Sequence, residues 1–167
     1  MIEMLCPNQR DQDLRSNLGA IEVIHEALTV CYSACPEDLV AEGLYHYTSE
    51  EADALISGHH FLRPTKRGEE ELSVVKIQFG RRMSTMDILD LFRLSRLLIP
   101  GIMEMLHWGI KHREQQPFAT VALGAVTRSG RLVYIDGDPD SPERDLLVLP
   151  HRRVWEASTR FLAIDPL

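Results

Sequence analysis

The sequence lacks any run of about 18 consecutive apolar residues, which a membrane-spanning helix would need. It also lacks a basic N-terminal stretch followed by an apolar core, so we expect no secretory signal. Three cysteines are an odd number and do not suggest a disulfide framework, which favours a reducing compartment. We therefore expect a soluble cytoplasmic protein, acting in its own cell or in a host cell after delivery, with no membrane partner.

Common catalytic signatures are missing as well. The chain contains no HExxH, Walker A, GxGxxG or GxSxG pattern. Adjacent His59 and His60 would point to opposite faces of a strand. His107 and His112 are five residues apart, which misses the i,i+4 spacing of helical zinc ligands. We predict no metal site, and any catalytic site must be assembled from residues distant in sequence.

Charge is distributed unevenly along the 167 residues, whose net charge is −7. Residues 1–60 contain eleven acidic and two basic residues, a net charge of −9. A nucleic-acid groove in this third is therefore not expected, because it would repel the phosphates. A basic macromolecular partner would instead be attracted to it.

Hydrophobic spacing in the first part of the chain predicts helices. Apolar residues three and four apart predict an amphipathic helix that begins near Ser16 and is stopped by Pro36, after a polar lead-in of residues 1–15. We expect residues 1–40 to form an acidic helical N-terminal extension. Residues 41–167 would form the main α+β domain.

The remainder of the chain shows helix-capping patterns followed by strand-like runs. Thr48-x-x-Glu51 predicts a helix that ends at Gly58 in a left-handed cap, and Ser84-x-x-Asp87 predicts a second helix start. A third helix is predicted from Ile102. The predicted strands comprise residues 43–47, 72–79, 118–123, 131–135, 146–149 and 161–164. Helices first and strands last indicate an α+β fold with a mixed or antiparallel sheet.

The most site-like feature is the segment Gly43-Leu44-Tyr45-His46-Tyr47-Thr48. On a strand, His46 and Thr48 point the same way, and Thr48 sits at a helix start whose free N–H groups suit a pyrophosphate. A histidine beside such a site can donate a hydrogen bond to a ribose or phosphate. The same pattern is also typical of a half-buried edge strand with no chemistry.

The run Leu44-Tyr45-His46-Tyr47-Thr48-Ser49, followed by a short helix and Gly58, resembles the opening of ADP-ribosyltransferase-fold toxins and effectors. Glu143-x-Asp145, leading into an apolar strand that ends at Pro150, resembles that family's third motif. Met83-Ser84-Thr85 partly matches the middle motif.

The resemblance implies transfer of ADP-ribose from NAD to a macromolecular target, which we expect to be a protein. His46, with Tyr47, Thr48 and Ser84, would bind NAD. Asp145 or Glu143 would stabilise the oxocarbenium-like transition state, which requires a positioned acid in a water-poor site. We then expect His46 and one of these acids to converge in one cleft.

Two alternatives remain open. The chain could be a non-enzymatic binding or inhibitor protein that docks on a basic partner through its acidic N-terminal third, including Glu22, Glu26, Glu37 and Asp38. It could also be a degenerate transferase fold that binds a nucleotide or peptide without turnover.

Overall fold

A computed structural model describes residues 7–61, 65–114 and 117–166 of the chain. In these ranges the helices are α1 Pro7–Leu18, α2 Pro36–Glu42, α3 Glu50–Ser57, α4 Thr85–Leu94 and α5 Ile102–Lys111. The strands are β1 Glu22–Cys31, β2 Tyr47–Thr48, β3 Glu69–Gln78, β4 Met83–Ser84, β5 Thr120–Val121, β6 Arg131–Asp138, β7 Ser141–Pro150, β8 Val154–Trp155 and β9 Arg160–Ile164. None of the helices in this part of the chain has the length and apolarity required to span a membrane.

A seven-stranded sheet organises the fold, with strand order β1-β3-β9-β5-β6-β7-β2. The pairs β5–β9 and β2–β7 are parallel and the other four are antiparallel, so the sheet is mixed. Strands β4 and β8 form a separate antiparallel ribbon. The predicted α+β class and mixed sheet are therefore confirmed.

Each face of the sheet is covered by helices. Successive residues of a strand point to opposite faces, so they enter different cores. Val133 and Ile135 of β6 join the core under α2, α3 and α5. Leu132 and Tyr134 of the same strand join the core under α1, α4 and the ribbon. The long strands are consequently apolar on both faces where helices cover them.

The helix predicted between Ser16 and Pro36 was wrong. The chain instead forms α1, which ends at Leu18, and the ten-residue strand β1. Strand β1 pairs with β3 along its whole length, so tertiary hydrogen bonding outweighs the local three-and-four spacing. The polar lead-in is helical from Pro7 onward; residues 1–6 lie outside the described ranges.

Helix α1 is attached to the sheet by a network of charged side chains. Arg10 donates from Nε and Nη2 to the Asp165 carboxylate at 2.9 and 3.0 Å. His25 Nε2 lies 2.9 Å from Asp165 Oδ2, and His25 Nδ1 contacts Asp11. Asp165 is buried, so this network ties α1 and β1 to the residue that follows β9.

The predicted helix starts were confirmed only in part. Ser84 caps α4 by accepting from the Asp87 N–H at 3.1 Å, as predicted. Ser49, not Thr48, caps α3, accepting from the Ala52 N–H at 3.1 Å. Gly58 follows α3 in a right-handed conformation with φ of −78°, so the predicted left-handed cap was wrong. The predicted helix from Ile102 and the strands of the last third are present.

Candidate functional site

Strands β2 and β7 bring the two predicted motifs side by side at one edge of the sheet. Tyr47 pairs with Asp145 in a parallel register, and the His46 N–H donates to the Arg144 carbonyl at 2.8 Å. His46 Nδ1 lies 3.6 Å from Glu143 Oε1. Residues about a hundred positions apart in sequence thus meet.

This edge is open to solvent. The His46 and Glu143 side chains are 58% and 57% exposed. Tyr47 is 51% exposed as well. The expected convergence of His46 with an acid is present, but the two side chains meet on the surface and not in a closed cleft. Water at this position would weaken any electrostatic stabilisation of a developing charge.

Asp145 lies in a different environment from Glu143. Its Oδ1 atom is buried and accepts no hydrogen bond from the described residues. Asp136 stands directly opposite Asp145 on β6. Burial, and then the neighbouring Asp145 carboxylate, raises the pKa of Asp136. Two carboxylates therefore share one site on β6 and β7.

The remaining predicted ligand residues are used structurally. Ser84 caps α4 and belongs to the β4–β8 ribbon, which is a separate sheet from the one that holds His46. Thr48 pairs with Leu146 and does not cap α3. The predicted strand 43–47 was wrong except at Tyr47: β2 comprises only Tyr47 and Thr48, Gly43 caps α2, and Leu44 adopts a left-handed φ of 54°.

Arg144 is the residue that sequence reasoning missed. It is 2% exposed, and its Nη1 donates to the Gly109 carbonyl at 2.7 Å while its Nη2 donates to the Gly43 carbonyl. Gly43 is the C-cap of α2 and Gly109 lies in the last turn of α5, where helix carbonyls lack partners within the helix. A cation at two helix C-termini also complements their dipoles.

Tyr45 completes this arrangement. The Arg144 guanidinium carbon lies 4.8 Å from the centre of the Tyr45 ring. Burial raises the pKa of Tyr45 to about 12, so its phenol stays neutral. Burial also lowers the pKa of Arg144. A side chain at Gly109 would overlap Tyr45 Oη, so glycine is required there by close packing.

A strand pattern in the sequence could have revealed Arg144. Leu146 and Val148 alternate with it along β7 and belong to the core under α2, α3 and α5. A period of two places Arg144 on that same buried face. A buried arginine needs acceptors, and helix ends are an available source of them.

The buried arginine fixes the loop that links α2 to α3. Tyr45 packs inward against Arg144, while Leu44 and Tyr47 on either side of it are 70% and 51% exposed. Left-handed backbone at a non-glycine residue costs on the order of 1–3 kcal/mol and persists only where its surroundings impose it. Arg144 binds the carbonyl of Gly43, the residue directly before Leu44.

No protein-family model matches this chain, and comparison with curated proteins and with solved structures finds no significant match. The resemblance to ADP-ribosyltransferases therefore stays a prediction.

Proposed function

We propose that this chain is a non-enzymatic binding domain that docks a basic protein partner. The docking surface would be residues 36–57, which comprise α2, β2, α3 and the loop between them; we call it the α2–α3 surface. The observation that carries the proposal is an acidic surface with two exposed side chains, Leu44 and Tyr47, in the stretch between its two helices.

The charge of this surface has one sign. Residues 36–57 contain six acidic residues and no lysine or arginine. Arg131 binds Glu51 in a two-point ion pair, at 2.7 and 3.0 Å. Exposed acids on α2 and α3 form no ion pair with any described residue: Asp38, Glu42, Glu50 and Asp53. They are available to a cationic partner.

Leu44 and Tyr47 give this surface an apolar contact that charge alone does not. Leu44 and Tyr47 are presented outward by the loop that Arg144 holds. Tyrosine is enriched at the centres of protein interfaces, and a polar rim commonly surrounds such anchors. Charged rims mainly raise the association rate and select the partner.

The acids of β1 are less suited to docking. Glu26 contacts His112 and lies 3.8 Å from Lys111 Nζ. Glu22 Oε1 lies 3.5 Å from Lys76 Nζ. The structure therefore favours α2 and α3 over β1 as the part of the acidic N-terminal third that would meet a partner.

A displayed library of random peptides tests the proposal. Selected sequences should be rich in lysine, arginine and aromatic residues, and their binding should weaken as NaCl is raised, because screening shortens the range of charge attraction. Leu44→Ser/Tyr47→Ser should weaken a selected peptide by about 10-fold or more, as expected for central interface residues.

A matched pair of charge variants provides the control. Glu42→Gln/Glu50→Gln removes two charges from the α2–α3 surface, and Glu69→Gln/Glu71→Gln removes two exposed charges from β3. Only the first pair should reduce binding. Equal effects of the two pairs, or selection of peptides without excess positive charge, would refute the proposal.

ADP-ribosyl transfer is a second candidate, and the pairing of β2 with β7 is the observation that favours it. His46 would hold the nicotinamide ribose, with Glu143 or Asp145 beneath the breaking glycosidic bond. Because His46 and Glu143 are exposed, the macromolecular target would have to cover the site and exclude water.

Labelled NAD separates the two candidates. A transferase should leave label on a protein target, and His46→Ala or Glu143→Gln should abolish the labelling. A binding domain should leave none, and its peptide binding should survive Glu143→Gln. Label transfer that the His46 variant loses would displace the docking proposal.

A further inference from the structure

A cavity of about 290 Å³ lies beside the first turn of α5, away from the β2–β7 edge. The turn between β1 and α2 forms one wall, and the end of α3 with the residues after it forms another. The first turn of α5 contributes Ile102 and Met103. Leu44 and Tyr47 do not border it, whereas Pro36 and Ile56 of the α2–α3 surface do.

The lining is mostly apolar and uncharged. Ile56, Phe61, Ile102 and Met103 supply apolar walls. The described lining residues include no lysine, arginine, aspartate or glutamate. The polar residues of the lining include Cys35 and His59, and the Cys35 thiol donates to Glu37 Oε2 at 2.8 Å. Behind the lining, Glu104 binds the Tyr32 hydroxyl, and Lys66 Nζ lies 5.4 Å from the centre of the Tyr32 ring. An anionic ligand would lose hydration here beside two carboxylates and one ammonium group, so an uncharged ligand is favoured over an anion.

The walls are held in place without a ligand. Tyr32 donates its hydroxyl proton to Glu104 Oε1 at 2.8 Å, and Glu104 Oε2 accepts from the Gly101 N–H at 2.9 Å. Ser33 Oγ accepts from the Gly68 N–H at 3.0 Å. A cavity whose walls are already ordered demands little reorganisation on binding, which is typical of small-molecule sites.

The volume sets the size of the ligand. An engineered cavity of about 150 Å³ holds one benzene molecule, so 290 Å³ is about twice that space. We propose that this cavity binds a neutral, planar molecule of one or two rings with one hydrogen-bonding group. Apolar walls would contact the rings, and Cys35 or His59 would meet the polar group.

Calorimetric titration of the full chain with indole, phenol and 2-naphthol tests the proposal. At least one of these should bind saturably at one site. Indole-3-acetate, which adds a carboxylate, should bind at least about tenfold more weakly than indole because its carboxylate would lose hydration near those of Glu37 and Glu104. Absence of saturable binding by all three neutral probes would overturn the proposal, as would tighter binding of the anion.

A pair of alanine variants locates the binding. Ala34→Leu adds the same atoms inside the cavity lining that Ala27→Leu adds on the exposed surface of β1. Only Ala34→Leu should weaken the bound probe by about tenfold or more, because added volume competes with the ligand. If both variants bound the probe equally well, the proposed location of the binding site would be wrong.

A measurement on the unmodified chain keeps the proposal testable if Ala34→Leu fails to fold. Maleimide labelling of Cys35, followed by peptide mass spectrometry, should slow when the bound probe saturates. Labelling at Cys35 that is unaffected by a saturating probe would place the probe elsewhere and contradict the proposal.

Discussion

Replacement of Arg144 by methionine should destabilise the protein and release the loop that carries Leu44 and Tyr47. Methionine is unbranched and fills most of the same space without a charge or a donor. The Gly43 and Gly109 carbonyls would each lose the charged partner that they have now. The change also removes the guanidinium contact with the Tyr45 ring.

The magnitude follows from those two bonds. A buried acceptor left without its partner costs about 1–3 kcal/mol, so the two carbonyls together would cost about 2–6 kcal/mol. The folded state would no longer bear the desolvation of a guanidinium group, which offsets part of that cost. We expect the free energy of unfolding to fall by about 2–4 kcal/mol, within the range of severe single substitutions.

Urea denaturation at neutral pH measures this fall, with Arg113→Met as the control. Arg113 is exposed and donates to the Glu42 carbonyl at a longer distance, 3.3 Å. Its replacement should change the free energy of unfolding by about 0.5 kcal/mol or less. An Arg144→Met protein as stable as the Arg113→Met protein, with unchanged peptide binding, would refute the role assigned to Arg144.

Three further substitutions follow from other contacts. Thr85→Val should cost about 1–3 kcal/mol in urea, because buried Trp155 Nε1 donates to the Thr85 hydroxyl at 2.9 Å and would lose its acceptor. Asp165→Asn should cost about 2–4 kcal/mol by weakening a buried charged network, and an unchanged melting temperature would contradict this. Asp136→Asn should stabilise the protein by about 0.2–1 kcal/mol at pH 7, since Asp145 stands directly opposite. The pKa of Asp136 is raised in the folded state, so the destabilisation that its ionisation causes is absent below the unfolded pKa of 3.8 and develops as pH rises through the folded pKa. If Asp136→Asn still stabilised the protein at pH 3, the assignment would be wrong.

The fold was predicted best where one local signal dominated. The Ser84 cap and the strands of the last third have strong turn or hydrophobic patterns, and they are present as expected. Strand β1 was misassigned because Leu28 and Cys31 are three residues apart, which is a helical spacing and places them on opposite faces of a strand. Only its pairing with β3, about fifty residues away, distinguishes the two.

The sequence predicted which residues meet at the β2–β7 edge, but not their exposure to solvent or the role of Arg144. Sequence resemblance brought His46 and Glu143 together, and the β2–β7 pairing does place them 3.6 Å apart. Exposure could not be inferred, because it depends on what the rest of the chain leaves uncovered. The role of Arg144 depends on two helix ends that lie far from it in sequence.

Amide chemical-shift mapping of the labelled chain with a selected basic peptide tests the docking proposal most directly. Perturbed amides should cluster within residues 36–57, with Leu44 and Tyr47 among the largest shifts, and should diminish at high salt. Shifts that cluster on β1, or that scatter over the chain without saturating, would contradict the proposal that the α2–α3 surface is the functional site.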